Sequence, residues 1–203
     1  FITEENTAEE YKDQDYVWII DPLDGTTNYI HDYAPYCVSI ALRYKGELQI
    51  GVVYEVCRDE CFFAWKDGGA YINGQKIHVS DIAEMNKAFV GFDLPYEDKL
   101  YKPVANTILN ELYGKSASLR MCGSAAMALC FVAAGRFDIW AEAFINPWDY
   151  SAGALIIIEA GGEVTNFRGE DKFSGSHHII ASNGLLHEDM IPLLEPFVDS
   201  LLK

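Results

Sequence analysis

The fold of this chain is decided by eight residues near its start, Asp21-Pro22-Leu23-Asp24-Gly25-Thr26-Thr27-Asn28, which we call the octet. The octet follows 16–20, a short apolar run of β-forming residues that predicts a buried strand. Pro22 cannot continue a ladder of hydrogen bonds, so the chain is expected to turn there. A strand end would hold the carboxylates of Asp21 and Asp24 rigidly and point both into one cleft.

The octet combines the groups that bind a metal ion with those that bind phosphate. Two adjacent carboxylates repel each other, and one becomes protonated unless cations are present. Hard oxygens of this kind suit Mg²⁺, and the carbonyl of Leu23 offers another. Gly25 lets the backbone approach a ligand, and its amide and that of Thr26 could hold an anion. Singly, these residues are typical of an ordinary turn, but together they predict a metal and phosphate site.

Composition limits the possible partners. The chain has 203 residues and a formal charge of −16, which argues against nucleic acid or an anionic membrane as a partner. A phosphorylated substrate remains possible if metal ions neutralise the site. The five cysteines include no CxxC pair and no zinc-site spacing, so we expect reduced thiols in a cytoplasmic protein. No apolar run approaches the ~20 residues of a membrane span.

The hydrophobic pattern changes character near residue 85. Before it, antiparallel strands are predicted at 37–43, 48–56, 60–65 and 70–72, with a tight turn at Asn73-Gly74. After it, strands are predicted at 87–92, 118–121, 137–141 and 178–181, and helices at 99–112, 124–134, 149–160 and 187–202. This order predicts layered sheets and helices in one α+β domain.

Two motifs carry a resemblance to a known family. Residues 18–29, which contain the octet, resemble the first signature of the inositol monophosphatase family, and Trp148-Asp149-Tyr150-Ser151-Ala152-Gly153 resembles the second. Gly161-Gly162 and 180–184 continue the resemblance, which covers nearly the whole chain. The family belongs to the lithium-sensitive, Mg²⁺-dependent sugar phosphatases, together with fructose-1,6-bisphosphatase.

The resemblance implies a layered α-β-α-β-α sandwich of the sugar-phosphatase type. Residues 1–203 are expected to form a single domain, with an antiparallel-sheet half at 1–85 and an α/β half at 86–203. Each half carries one metal motif. The family's helices ahead of the first signature have no counterpart in this sequence, so we expect the chain to be incomplete at its N-terminus.

The resemblance also implies roles for individual residues. The metal ligands would be Glu4, Asp21, the carbonyl of Leu23, Asp24 and Asp149, for two or three Mg²⁺ ions. Glu4, Asp21 and Thr26 would be catalytic, and Gly25 and Thr26 would bind phosphate. Substrate would contact Asp24, Gly123, Ser124, Ala125 and Glu142. The sequence departs from the family pattern at Thr3, which replaces a Gly, and at Asn146, where several relatives have His.

The predicted function is therefore Mg²⁺-dependent hydrolysis of a small phosphate monoester, foremost inositol monophosphate, by a metal-activated water. Fructose-1,6-bisphosphatase, NADP phosphatase and nucleotide 3′-phosphatase activities are alternatives. A metal-binding regulator without activity is an alternative from another class. A serine hydrolase and a P-loop protein are not supported, because neither motif occurs. The family also implies a homodimer.

Overall fold

The structure is a computed structural model that describes residues 1–4, 14–94, 98–171 and 177–201. Within these ranges, seven strands form one sheet in chain order. They are β1 (Ile2–Thr3), β2 (Tyr16–Asp24), β3 (Cys37–Tyr44), β4 (Glu47–Glu55), β5 (Glu60–Trp65), β6 (Gly69–Ile72) and β7 (Gln75–Ile77). β1 runs parallel to β2, and each later strand runs antiparallel to the one before it.

A second sheet of five strands has the order β11-β12-β10-β8-β9. Its strands are β8 (Phe89–Phe92), β9 (Ser118–Arg120), β10 (Ile139–Ala143), β11 (Glu163–Thr165) and β12 (His178–Ser182). β8 pairs in parallel with β9 and β10, whereas β12 is antiparallel to both of its neighbours. The second sheet is therefore mixed.

Two buried helices join the sheets. The helices are α1 (Thr26–Ile30), α2 (Asp98–Leu112), α3 (Ala125–Ala133), α4 (Pro147–Glu159), α5 (His187–Leu194) and α6 (Val198–Leu201). α3 and α4 pack against each other and against strands of both sheets, and every residue of α3 is buried. Gly51 allows β4 to approach α4 closely, since a Cβ there would lie 2.6 Å from the carbonyl oxygen of Ala152.

The remaining long helices cover the other face of the second sheet. Apolar residues of α2 and α5, among them Val104, Ile108 and Met190, share a buried cluster with Val90 and Ile139 of the sheet. The layers therefore run sheet, helices, sheet, helices, which confirms the predicted α+β layered class. The described residues supply four of the five predicted layers.

The expectation of a turn at Pro22 is wrong. β2 continues to Asp24, and its pairing with β3 shifts register between Asp21, opposite Ser39, and Asp24, opposite Cys37. Three steps along β2 thus match two along β3, which is a one-residue bulge. Residues three apart in a regular strand face opposite ways. The bulge instead brings both aspartates to the buried face, and it accommodates Pro22, which has no N–H to donate.

Other differences lie at element ends and in short strands. The helix predicted to reach residue 202 ends at Leu194, and a 3₁₀ turn (Glu195–Phe197) separates it from α6. Pro196 lies in that turn and cannot supply the helical hydrogen bond. Residue 202 lies outside the described ranges. The three-residue strands β7 and β11 are not predicted from the hydrophobic pattern.

The cysteines agree with the prediction of reduced thiols, because all five are free. In the described part of the chain, no helix has both the length and the apolar character needed to cross a membrane.

Candidate metal centre

Three aspartates from two distant parts of the chain meet in one place. Asp21 and Asp24 come from the bulged end of β2, and Asp149 comes from the first turn of α4. Each offers a carboxylate oxygen, and these three oxygens lie within 4.8 Å of one another. The fold thus brings together three of the five ligands expected from the sequence into a cluster of a size that a divalent cation could bridge.

The helix that carries Asp149 starts two residues earlier than the sequence predicts. The prediction places Asp149 at the helix start, but α4 starts at Pro147, and Asn146 is the N-cap residue. Asp149 accepts a hydrogen bond from the backbone N–H of Asn146 at 2.8 Å. A carboxylate in a first turn is favourable to the helix dipole. Burial nevertheless raises the pKa of Asp149 to about 8, and the charges of Asp24, Asp21 and Glu4 contribute to this rise.

Asp24 also contacts the N-terminus of a second helix. Its Oδ2 accepts hydrogen bonds from the hydroxyl of Ser124, the N-cap of α3, and from the N–H of Ala126 at 2.9 Å. Burial raises its pKa to about 6, the charge of Asp21 adds to the rise, and the hydrogen bonds from Ser124 and Ala126 oppose it. The carboxylate therefore links the octet to α3.

The rest of the octet forms a compact turn. Asp21 Oδ1 accepts the N–H of Leu23 at 2.9 Å, and the Thr26 hydroxyl donates to the carbonyl of Leu23 at 3.0 Å. Burial raises the pKa of Asp21, and the bond from Leu23 partly offsets this. Gly25 has φ 87°, a left-handed conformation that glycine adopts without strain, and it starts α1. Asn28 donates to the carbonyls of Pro35 and Cys122, at 2.8 Å and 3.0 Å.

A cleft of about 500 Å³ opens over this cluster. Every site residue expected from the sequence lines it. The lining residues are Glu4, Asp21, Leu23, Asp24, Gly25, Thr26, Thr27, Asp93, Leu94, Gly123, Ser124, Ala125, Glu142, Phe144, Asn146, Trp148 and Asp149. Six of them are carboxylates, and none of these described lining residues is Lys, Arg or His.

Glu4 and Glu142 lie in the cleft but outside the cluster of three aspartates. Glu4 follows β1 and is exposed, and its charge contributes to the raised pKa of Asp149. Glu142 lies in β10, where burial raises its pKa well above the ordinary value, with further contributions from Asp93 and Asp149. The fold thus places Glu142 in the same cleft as the octet.

Asp93 was missed in the sequence analysis. One of its carboxylate oxygens accepts the N–H groups of Cys122 and Gly123, each at 2.8 Å, and the other accepts Trp140 Nε1 at 3.0 Å. Asp93 thereby holds the turn that leads to Ser124. A carboxylate directly after a predicted strand was the available signal. Leu94 and Phe144 were also missed, and no residue pattern marks either of them.

Fold and site together define a class. This is a layered α+β protein with a cluster of carboxylates suited to a divalent cation, set beside the N-termini of two buried helices. The model of the inositol monophosphatase family matches residues 1–198. The chain belongs to that family.

Individual relatives agree with this assignment. The protein named Nus factor SuhB from Pseudomonas aeruginosa is 39% identical over 191 residues, which are 93% of this chain and 70% of that protein. The structure of inositol monophosphatase from Anabaena (Nostoc) sp. PCC 7120 has a TM-score of 0.89 and 37% identity, covering 96% of this chain and 77% of that one. SaIMPase-II with bound inositol monophosphate has a TM-score of 0.86 and 29% identity, covering 99% and 78%.

Proposed function

We propose that this protein hydrolyses the phosphate monoester of a small metabolite, foremost inositol monophosphate, with water activated by Mg²⁺. The observation that carries the proposal is the cluster of Asp21, Asp24 and Asp149 in a cleft whose described lining has six carboxylates and no basic side chain. A phosphate dianion would be repelled from such a cleft unless cations were bound there first.

The donor set fits Mg²⁺. All the donors are carboxylate or carbonyl oxygens. Burial, with a smaller contribution from neighbouring carboxylates, raises the pKa values of Asp24 and Asp149, and a bound cation would favour their charged forms. In the proposed arrangement, Glu4, Asp21 and the Leu23 carbonyl would hold one ion, and Asp21, Asp24 and Asp149 would hold another. Mg²⁺ bound there would lower the pKa of the attacking water and polarise the phosphate.

The remaining roles follow from positions in the cleft. Thr26 orients the water, and the amides of Gly25 and Thr26 hold phosphate oxygens. The backbone of Gly123, Ser124 and Ala125, together with Glu142, contacts the alcohol portion of the substrate. The Ser124 hydroxyl donates to Asp24, so Ser124 is proposed to contact substrate through its backbone.

The choice of substrate is supported by relatives. The solved structures of SaIMPase-II include complexes with inositol monophosphate and with 2′-AMP. Inositol monophosphate is therefore the first candidate, ahead of NADP, nucleotide 3′-phosphates and fructose-1,6-bisphosphate. Phosphate release from these four substrates, measured with malachite green in the presence of Mg²⁺, tests the order. If the protein hydrolyses none of the four substrates, the proposal is wrong.

A second candidate is a metal-binding regulator without turnover, which the name Nus factor of several relatives supports. The two functions give different results in one pair of measurements. A regulator would bind Mg²⁺ in calorimetry and release no phosphate from any substrate. The main proposal has further parts. Residues 1–203 form one domain, and the protein is a cytoplasmic homodimer. Its partner is a phosphorylated metabolite, and lithium inhibits it.

A further inference from the structure

Phe144 has the most unusual backbone conformation among the described residues. Its φ is 120°, whereas the five other described non-glycine residues with positive φ lie between 48° and 61°. Those five values fall in the left-handed helical region, and four of the five residues are Asn or Asp, which tolerate it. A φ of 120° is essentially confined to glycine, and another residue persists there only when its surroundings impose it. Residues in such conformations cluster at functional sites, so the surroundings of the Phe144 side chain are of interest.

Contacts on one side hold Phe144 in place. Its N–H and that of Ile145 both donate to the carbonyl of His177, at 2.6 Å and 3.0 Å. Its ring lies 5.5 Å from the ring of Tyr101 and 6.2 Å from that of His177, measured between centroids. These contacts hold one side of the Phe144 ring, and 48% of the residue remains exposed.

The exposed part of Phe144 belongs to the cleft. Phe144 follows Glu142 by two residues and precedes Asp149 by five, and all three line the same cavity. Leu94, 49% exposed, lines it as well. This part of the cleft therefore combines carboxylates, which accept hydrogen bonds from hydroxyls, with two exposed apolar side chains.

We propose that Phe144 is a specificity-determining residue that selects phosphate monoesters of cyclic polyols, in which a flat face of C–H groups packs on its ring while hydroxyls reach Glu142. The inference rests on the proposed phosphatase function and names the substrate feature that the site selects. An acyclic alcohol has no such face and leaves the ring of Phe144 in contact with water. Loss of such an apolar contact with the Phe144 ring should change the selectivity between cyclic and acyclic substrates by about tenfold.

The selectivity of the intact protein tests this directly. We expect Phe144→Ala to lower the ratio of kcat/KM for inositol 1-phosphate to kcat/KM for glycerol 2-phosphate by about tenfold. Ile158→Ala is the matched control, because Ile158 is 47% exposed on α4 and does not line the cleft. That variant should leave the ratio as it is. An unchanged ratio in Phe144→Ala would overturn the inference.

A second variant separates the ring from the backbone strain. Phe144→Gly also removes the ring, but glycine adopts a φ of 120° freely, whereas alanine keeps the strain. We expect both variants to lose selectivity equally and Phe144→Gly to melt several degrees above Phe144→Ala. Equal melting temperatures would contradict the strain argument. If the wild-type protein hydrolyses neither substrate, the proposed function fails; if it hydrolyses both and the variants lose activity equally on both, only this inference fails.

Discussion

Buried carboxylates at two places in this protein have different surroundings. Asp138, directly ahead of β10, is buried and accepts hydrogen bonds from the Ser80 hydroxyl and from the N–H of Phe89 at 2.6 Å. Asp21, in the cleft, is equally buried but lies within 4.8 Å of two other carboxylates.

The difference separates a structural carboxylate from one kept for a ligand. A buried charge is costly unless donors or opposite charges compensate it. Asp138 is compensated by the protein itself. In the cleft, burial raises the pKa of Asp24 to about 6 despite its protein donors, and burial with neighbouring carboxylates raises that of Asp149 to about 8. The close grouping of the three aspartates supports our proposal that cations bind there.

The largest expected effect is on catalytic activity, and it distinguishes Asp21 in the cleft from Asp138. Asp21→Asn keeps the shape of the side chain but removes the charge that would hold both metal ions, so kcat/KM should fall by about 10³-fold or more, equivalent to about 4 kcal/mol. Asp138→Asn is the matched control and should keep most of the activity per folded molecule. Steady-state kinetics with Mg²⁺, with circular dichroism as a check of folding, measure both. Near-normal turnover by Asp21→Asn would show that the proposed mechanism is wrong.

The same chemical change should alter stability with opposite signs at the two sites. Without metal, Asp149 must take up a proton to be buried at pH 7, because its pKa rises from 3.8 to about 8 on folding. Asp149→Asn removes this cost and keeps an acceptor for the Asn146 N–H, so the free energy of unfolding at pH 7 should rise by about 1 kcal/mol or more. Asp138→Asn replaces one carboxylate oxygen by an NH₂ group, so either the Ser80 hydroxyl or the Phe89 N–H loses its acceptor. The free energy of unfolding should therefore fall by about 1–3 kcal/mol. Urea denaturation in EDTA measures both.

The pH dependence follows from the shift of Asp149. Because its pKa is raised from 3.8 to about 8 in the folded metal-free protein, the folded state binds more protons than the unfolded state between these values. Its contribution to stability therefore falls as pH rises through this window, and Asp149→Asn should flatten the curve. A loss of stability in Asp149→Asn would contradict the comparison. Added Mg²⁺ should raise the melting temperature of the wild type by more than that of this variant, which loses a ligand of only one of the two proposed ions.

The smallest expected effect concerns a buried base outside the cleft. His187 lies between the hydroxyls of Thr165 and Ser182, at 2.7 Å and 2.9 Å, and burial lowers its pKa to about 4. Because the unfolded chain takes up a proton near pH 6.5, stability from this group is present above pH 6.5 and is lost as pH falls towards 4. His187→Gln should weaken that dependence in unfolding curves between pH 7 and 4. An identical pH dependence in the variant would exclude His187 as its source.

The residue types of the octet predicted a metal and phosphate site, and the family resemblance added Asp149 and Glu142, all of which line the cleft. The sequence could not predict the bulge that turns Asp21 and Asp24 to one face, since a bulge depends on register with β3. Asp93 and Phe144 were missed for a similar reason. Their roles arise from contacts with Gly123 and His177, which only the folded chain brings together.

The position of Asp24 links occupancy of the cleft to the interior of the protein. The carboxylate that would bind a cation also accepts the first-turn N–H of α3, and α3 packs on α4 between the two sheets. A cation that draws charge from Asp24 therefore acts on the hydrogen bond that anchors a central helix. Binding and the local opening of α3 become thermodynamically linked, and the exchange protection of its first amides reports whether the cleft is filled.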